Sequence, residues 1–187
     1  GSPARTDWPV ALTNRSSIKP SERSVTMCSR RSSIFTVPMA RTGWTITRFV
    51  QYASKQLKPL GVRVSVDLFG LSATRDLGVG QVPGRLAKYV DGVYPMVYPS
   101  HYNPGEFNLP DPSAAPGSTV SHSLRDFRNA LVGRKAMLIP WLEDFSLTSD
   151  RRPPEEVQAQ IDAARRHNAK GFLLWNPSGV YTEELLK

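Results

Sequence analysis

From Thr45 onward the chain alternates between two hydrophobic periods. The stretch Thr45 to Gly61 places Ile46, Phe49, Val50, Ala53 and Leu57 on one face at helical spacing, and Pro59 with Gly61 ends it. The next run, Val62 to Gly70, alternates strictly: Val62, Val64, Val66 and Leu68 on one side, Ser65 and Asp67 on the other. A short helix is expected over 83–90 and a strand over 92–99. An amphipathic helix then covers 119–132 and a strand 136–142. The segment 153–169 is the clearest helix, with proline and glutamates first and basic residues last, as the helix dipole favours. A strand over 171–175 and the start of a helix over 181–187 complete the pattern. One helix followed by four strand-helix units implies parallel strands covered by helices, either an open sheet or half of a (β/α)8 barrel.

The first 44 residues follow neither period. They hold eight Ser, six Arg and one Lys against Asp7 and Glu22. A short run, Ile34 to Val37, has strand character, but Pro38 ends it. Three readings stand for this segment: a disordered basic tail, a poorly formed piece of domain, or sequence from another reading frame. The expected division is an irregular Ser/Arg-rich segment, 1–44, and an incomplete barrel domain, 45–187.

Length and composition agree with a single domain, since 187 residues that are 40% hydrophobic can bury a real core. The chain opens on Gly1 rather than Met, which leads to the expectation of a processed, engineered or truncated product. No run approaches the roughly 20 apolar residues that a membrane span requires. The formal net charge of +8 suggests a nucleic-acid partner, but the first 44 residues carry +5 of it. Nucleic acid is therefore not expected as a partner of the regular domain; binding through the basic segment would weaken steeply with salt. Cys28 stands alone, and His101, His122 and His167 lack metal-ligand spacing. Neither a metal nor another cofactor is expected.

Chemistry in parallel strand-helix folds gathers where strands end, because the loops there vary while the core below is packed. The four strand ends read DLFG from Asp67, MVYPSHY from Met96, PWLEDF from Pro140 and LWNPS from Leu174. They would bring Asp67, Glu143 and Asp144 to one rim beside Tyr98, Tyr102, Trp141 and Trp175. Carboxyl groups among flat aromatic faces suit a sugar, whose C–H faces pack on rings. Hydrolysis of a glycosidic bond needs a protonated carboxyl as acid and a second as base or nucleophile, about 5 Å away for retention or roughly 6.5–9.5 Å for inversion. Adjacent residues point in opposite directions, so only one of Glu143 and Asp144 is expected to face the cleft, with the other a solvated loop charge. His101 reads equally as a loop residue or a proton carrier.

The runs LKPLGVRVSVDLFG (57–70), YVDGVYPMVYPSHY (89–102), PWLEDF (140–145), VQAQIDAA (157–164) and GFLLWNPS (171–178) resemble bacterial glycoside hydrolases with a (β/α)8 barrel. The likeness covers about residues 46 to 187. It implies a sugar-active barrel of which this chain keeps strands five to eight, with Asp67, Tyr98, His101, Trp141, Asp144, Trp175 and Asn176 on motif positions at the mouth. Similar proteins often place Gln where Glu143 stands, which makes Asp144 the better acidic candidate of the two. Secretion or retention at the cell envelope is implied as well. The family's Phe-Asp-Tyr-Val-Arg-Phe-Pro motif at the end of strand four is missing, and with it a candidate catalytic Asp. The expectation is therefore a carbohydrate-binding half-barrel, inactive alone, whose open strand edges call for the missing half. A carbohydrate-binding module without catalysis is the alternative.

Overall fold

A computed structural model describes residues 10–11, 24–26, 39–147 and 152–186, with side chains described over 45–147 and 152–185. Its strands are β1 (Val10–Ala11), β2 (Ser24–Thr26), β3 (Arg63–Phe69), β4 (Gly92–Val97), β5 (Met137–Leu138), β6 (Trp141–Glu143) and β7 (Phe172–Trp175). The helices are α1 (Met39–Leu57), α2 (Pro83–Leu86), α3 (Pro116–Ala130) and α4 (Pro154–Arg166). The strands form one parallel sheet in the order β1-β7-β6-β4-β3-β2, with β5 also paired to β4. β5 and β6 are one stave broken at Ile139–Pro140: Met137 and Leu138 lie beside Gly92 and Val93, and Trp141 and Leu142 beside Met96 and Val97. The proline has no N–H for the ladder, yet its carbonyl still accepts from Leu173 at 2.8 Å.

The described strands form an open run of parallel staves, as in part of a barrel. The edges expected to be bare are not: Val10–Ala11 pairs with β7 and Ser24–Thr26 with β3, both parallel. Two short pieces of the segment expected to be irregular thus extend the sheet. The strand suggested at Ile34 to Val37, and Cys28, lie outside the described residues.

Strand parity sorts the side chains. Val64, Val66, Leu68, Val93, Val97, Leu142, Phe172 and Leu174 point to the helices, where Val50, Val120, Leu124, Phe127, Val157 and Ile161 bury them. This core holds the staves in register, at roughly 1.5–3 kcal/mol per fully buried large side chain. Helix α3 approaches α4 closely because Gly117 leaves room: a Cβ there would meet Ala159 at 3.1–3.2 Å. Helix α1 starts earlier than its pattern suggests, at Met39, and its inward face is shifted. Thr47, Val50, Ala53 and Ser54 are buried while Phe49 is 56% exposed. The helix expected over 83–90 is shorter, Pro83–Leu86, and the last segment forms a single 3-10 turn, Glu183–Leu186.

Candidate functional site

Residues of the other parity face the concave side of the sheet. Register places Asp67 opposite Tyr94, and aligns Phe69, Met96, Trp141 and Leu173 in one row across four strands. Glu143 lies beside Trp175 one step higher. Asp67, Tyr98, Trp141, Glu143 and Trp175 therefore share one face and one end of the sheet, as the alternation of β3 and the strand endings anticipate.

Asp67 is the partly exposed carboxylate of that face. Its Oδ1 accepts the indole N–H of Trp141 at 2.8 Å, a bond between residues 74 apart in sequence. Burial pushes the Asp67 carboxyl above the usual carboxylate range, and the Trp141 bond, which favours the charged form, only partly offsets this. The Trp141 ring meets Trp175 edge to face, with centroids 6.1 Å apart and planes at 90°. Trp175 is 40% exposed, so part of its apolar surface meets solvent on the far side of Trp141 from the acid.

Tyr98 and His101 border the same mouth. Tyr98 packs edge-on against His101 (5.3 Å, 87°) and Phe145 (5.7 Å, 71°). Burial pushes the Tyr98 phenol far up, and the negative charges of Asp67 and Glu143 add to the shift, so it stays a neutral hydroxyl. His101 is exposed. A recess of about 250 Å³ beside it is lined by Phe69, Leu71, Leu77, Met96, Tyr98 and Tyr102, among others.

The other expected site residues are buried. Glu143 is fully buried, although its parity is that of the open face. Its Oε2 accepts from the backbone N–H and the hydroxyl of Ser100 at 2.9 and 3.0 Å, and its Oε1 from Arg152 Nε at 2.7 Å. Gln160, fully buried on α4, grips the Glu143 backbone at both ends, accepting from its N–H at 3.0 Å and donating to its carbonyl at 2.9 Å. Arg152 also donates to Ser113 and to Glu156. A cavity of about 490 Å³ borders this network.

Asp144 points away from the mouth. It is fully buried, its carboxylate accepting from the backbone N–H of Thr182 at 2.8 Å and the Thr182 hydroxyl at 2.6 Å. The expectation of one cleft-facing and one solvated carboxylate is corrected here, because distant chain segments supply partners for both. Asn176 is buried and ties the end of β7 to its neighbours, donating to the Asp144 carbonyl at 2.5 Å and accepting from Ser178 at 2.6 and 2.9 Å. Tyr102 belongs to the core, its hydroxyl occupying the place where residue 70 would carry a Cβ.

Ser100, in the strand ending MVYPSHY, serves to hold Glu143, while Phe145, Arg152, Gln160 and Thr182 are contributors that the sequence does not single out. Gln160 alone leaves a trace, as a polar residue in the apolar stripe Val157, Ile161, Ala164 of α4. Among the described residues no group of three or more His, Cys, Asp or Glu is placed to hold a metal ion. No helix among them is long and apolar enough to cross a membrane.

Comparison with known proteins bears on this geometry. The model of a family described as "Putative glycosyl hydrolase domain" matches residues 24–181, so the match starts within the Ser/Arg-rich segment. No curated protein matches the chain. Among solved structures, the glycoside hydrolase domain of PgaB (BpsB) from Bordetella bronchiseptica aligns with 75% of the chain and 40% of its own length, at a TM-score of 0.52 and 13% identity. The spore cortex-lytic enzyme SleL of Bacillus megaterium aligns with 79% of the chain and 45% of its own length, at 0.55 and 12%. SleL of Bacillus cereus gives 78%, 44%, 0.54 and 12%. At such identities the likeness concerns the fold, and the chain spans less than half the length of each of these structures.

Proposed function

The chain belongs to this glycosyl hydrolase domain family, and from that premise we propose that it forms the sugar-binding, acid-bearing part of a glycosidase barrel mouth. The observation that carries the reading is Asp67: a partly buried carboxyl with a raised proton affinity, bonded to Trp141, whose ring in turn meets the partly exposed Trp175. A general acid must hold its proton near working pH, and burial is the usual means. Trp175 stacks on the sugar ring, Tyr98 and His101 offer hydrogen bonds to its hydroxyls, and Asp67 protonates the leaving oxygen.

The mechanism requires a second carboxyl. Asp144 and Glu143, the sequence candidates for it, are each fully buried and hydrogen-bonded, which argues against either as base or nucleophile in this arrangement. We assign the second group to staves beyond this sheet, so the chain alone binds sugar and leaves it uncut. Neighbours that are a glycoside hydrolase domain and spore cortex-lytic enzymes suggest cell-envelope glycans as the substrates to try, and an extracellular or envelope location. The burial of Glu143 and Asp144 also favours the second reading, a carbohydrate-binding module without turnover.

One experiment separates the two. Release of reducing ends from envelope glycans is followed with the chain alone and with the chain joined to the first four strand-helix units of a family member. The enzyme reading predicts background release by the chain alone and turnover by the joined protein, with Asp67→Asn lowering the rate by about 10²–10⁴-fold and leaving affinity within a few-fold. Turnover that survives Asp67→Asn contradicts the assignment of the acid. Binding with no turnover in either form favours the module.

A further inference from the structure

The indole of Trp141 does something a stacking platform need not do. It starts on β6, passes the intervening strand β4 and reaches Asp67 on β3. Neighbouring strands lie about 4.8 Å apart, so the link spans roughly 10 Å and needs a long side chain ending in a donor. Trp175 meets the ring perpendicularly on its other side, away from the bond to Asp67.

We infer that Trp141 is a positioning residue for Asp67: its N–H keeps Oδ1 an acceptor and thereby places the transferable proton on Oδ2. This rests on the reading of Asp67 as the general acid. A carboxylic acid carries its proton on one oxygen, and the oxygen already accepting an N–H is the poorer seat for it. The same bond limits how far burial raises the Asp67 proton affinity, because it favours the ionised form. The groups facing Asp67 include Tyr94 and Tyr98 from β4 and its following turn, with Glu143 on β6 acting on Tyr98 and itself paired to Arg152. Burial keeps the Tyr98 phenol neutral, which leaves the indole bond as the adjustable contact.

The test needs no sugar. Asp67 is titrated in the full chain by NMR of ¹³C-labelled aspartate, its resonance assigned by its loss in Asp67→Asn, and the Trp141 indole ¹H–¹⁵N resonance is followed in parallel. In the wild-type chain the indole resonance moves with the same midpoint as Asp67, and this movement vanishes in Asp67→Asn. In Trp141→Phe the Asp67 midpoint rises by on the order of one pH unit, whereas Trp175→Phe leaves it within a few tenths. An indole resonance that ignores the Asp67 titration overturns the inference. So does an unchanged midpoint in folded Trp141→Phe, or an equal shift in Trp175→Phe. Should Trp141→Phe fail to fold, the wild-type indole titration decides alone. Because none of these readings involves glycan, they can fail while Asp67 remains the acid, and the hydrolysis assay can fail while the bond stands.

Discussion

The two faces of the same strands serve different ends. On the helix side, Val64, Val93, Val97, Leu142 and Leu174 are completely buried. On the concave side, one residue along each strand, Phe69 is 49% and Trp175 40% exposed, and Asp67 is partly exposed. A shift of one position in a strand thus separates the packed core from the face proposed to meet the sugar. The concave face is not uniformly open, however: around Glu143 it is sealed by Ser100 and Arg152, and there a polar cluster performs the structural work that apolar packing performs behind the sheet.

That contrast can be broken most severely at Arg152. Arg152→Ala leaves the Glu143 carboxylate buried without its cation and is expected to cost about 3–5 kcal/mol, read as a loss in the chemical-denaturation midpoint. Leu142→Ala, next to Glu143 but on the helix side, should cost about 2–5 kcal/mol in the same measurement. It should leave sugar affinity nearly unchanged wherever the protein remains folded. Gly70→Ala drives a Cβ into the Tyr102 hydroxyl and to 2.8 Å from the Met96 carbonyl. A loss of about 1–3 kcal/mol is expected.

Trp175→Ala is the opposite case. Stability should fall by less than about 1 kcal/mol, while saccharide affinity measured by calorimetry falls at least about tenfold. The smallest effect concerns charge at Asp67. Its raised proton affinity in the fold means that it favours the folded state below the ordinary aspartate range, and this contribution is lost as pH rises through the folded value. Asp67→Asn should therefore raise the melting temperature slightly at pH 7 and leave it unchanged near pH 3.

What could be read from the sequence was local. The alternation Val64-Ser65-Val66-Asp67-Leu68 predicts β3 and the face of each residue, and the Pro154, Glu155, Glu156 start with Arg165 and Arg166 at the end marks α4. Boundaries drifted where single residues interrupt the period, as Pro140 divides one stave into β5 and β6. Phe49 fits a helical stripe by spacing, but Thr47 and Ser54 occupy the buried side in its place. The placement of the candidate site residues was legible in their types and strand positions, but their partnerships were not. Nothing near Asp144 announces Thr182, 38 residues on, and nothing near Asp67 announces Trp141. Such pairings arise only when the sheet brings distant staves together, and they decide which carboxylate stays available and which becomes structural.

If the concave rim holds the saccharide, the aromatic side chains there must sense it directly. The most direct test follows all indole and aromatic NMR resonances of the full chain while oligosaccharides from bacterial envelope glycans are added. The account predicts saturable shifts concentrated on Trp175, Trp141, Tyr98 and His101, lost in Trp175→Ala. Shifts confined to the helix side, or none at these four residues with any glycan that the chain demonstrably binds, would contradict it.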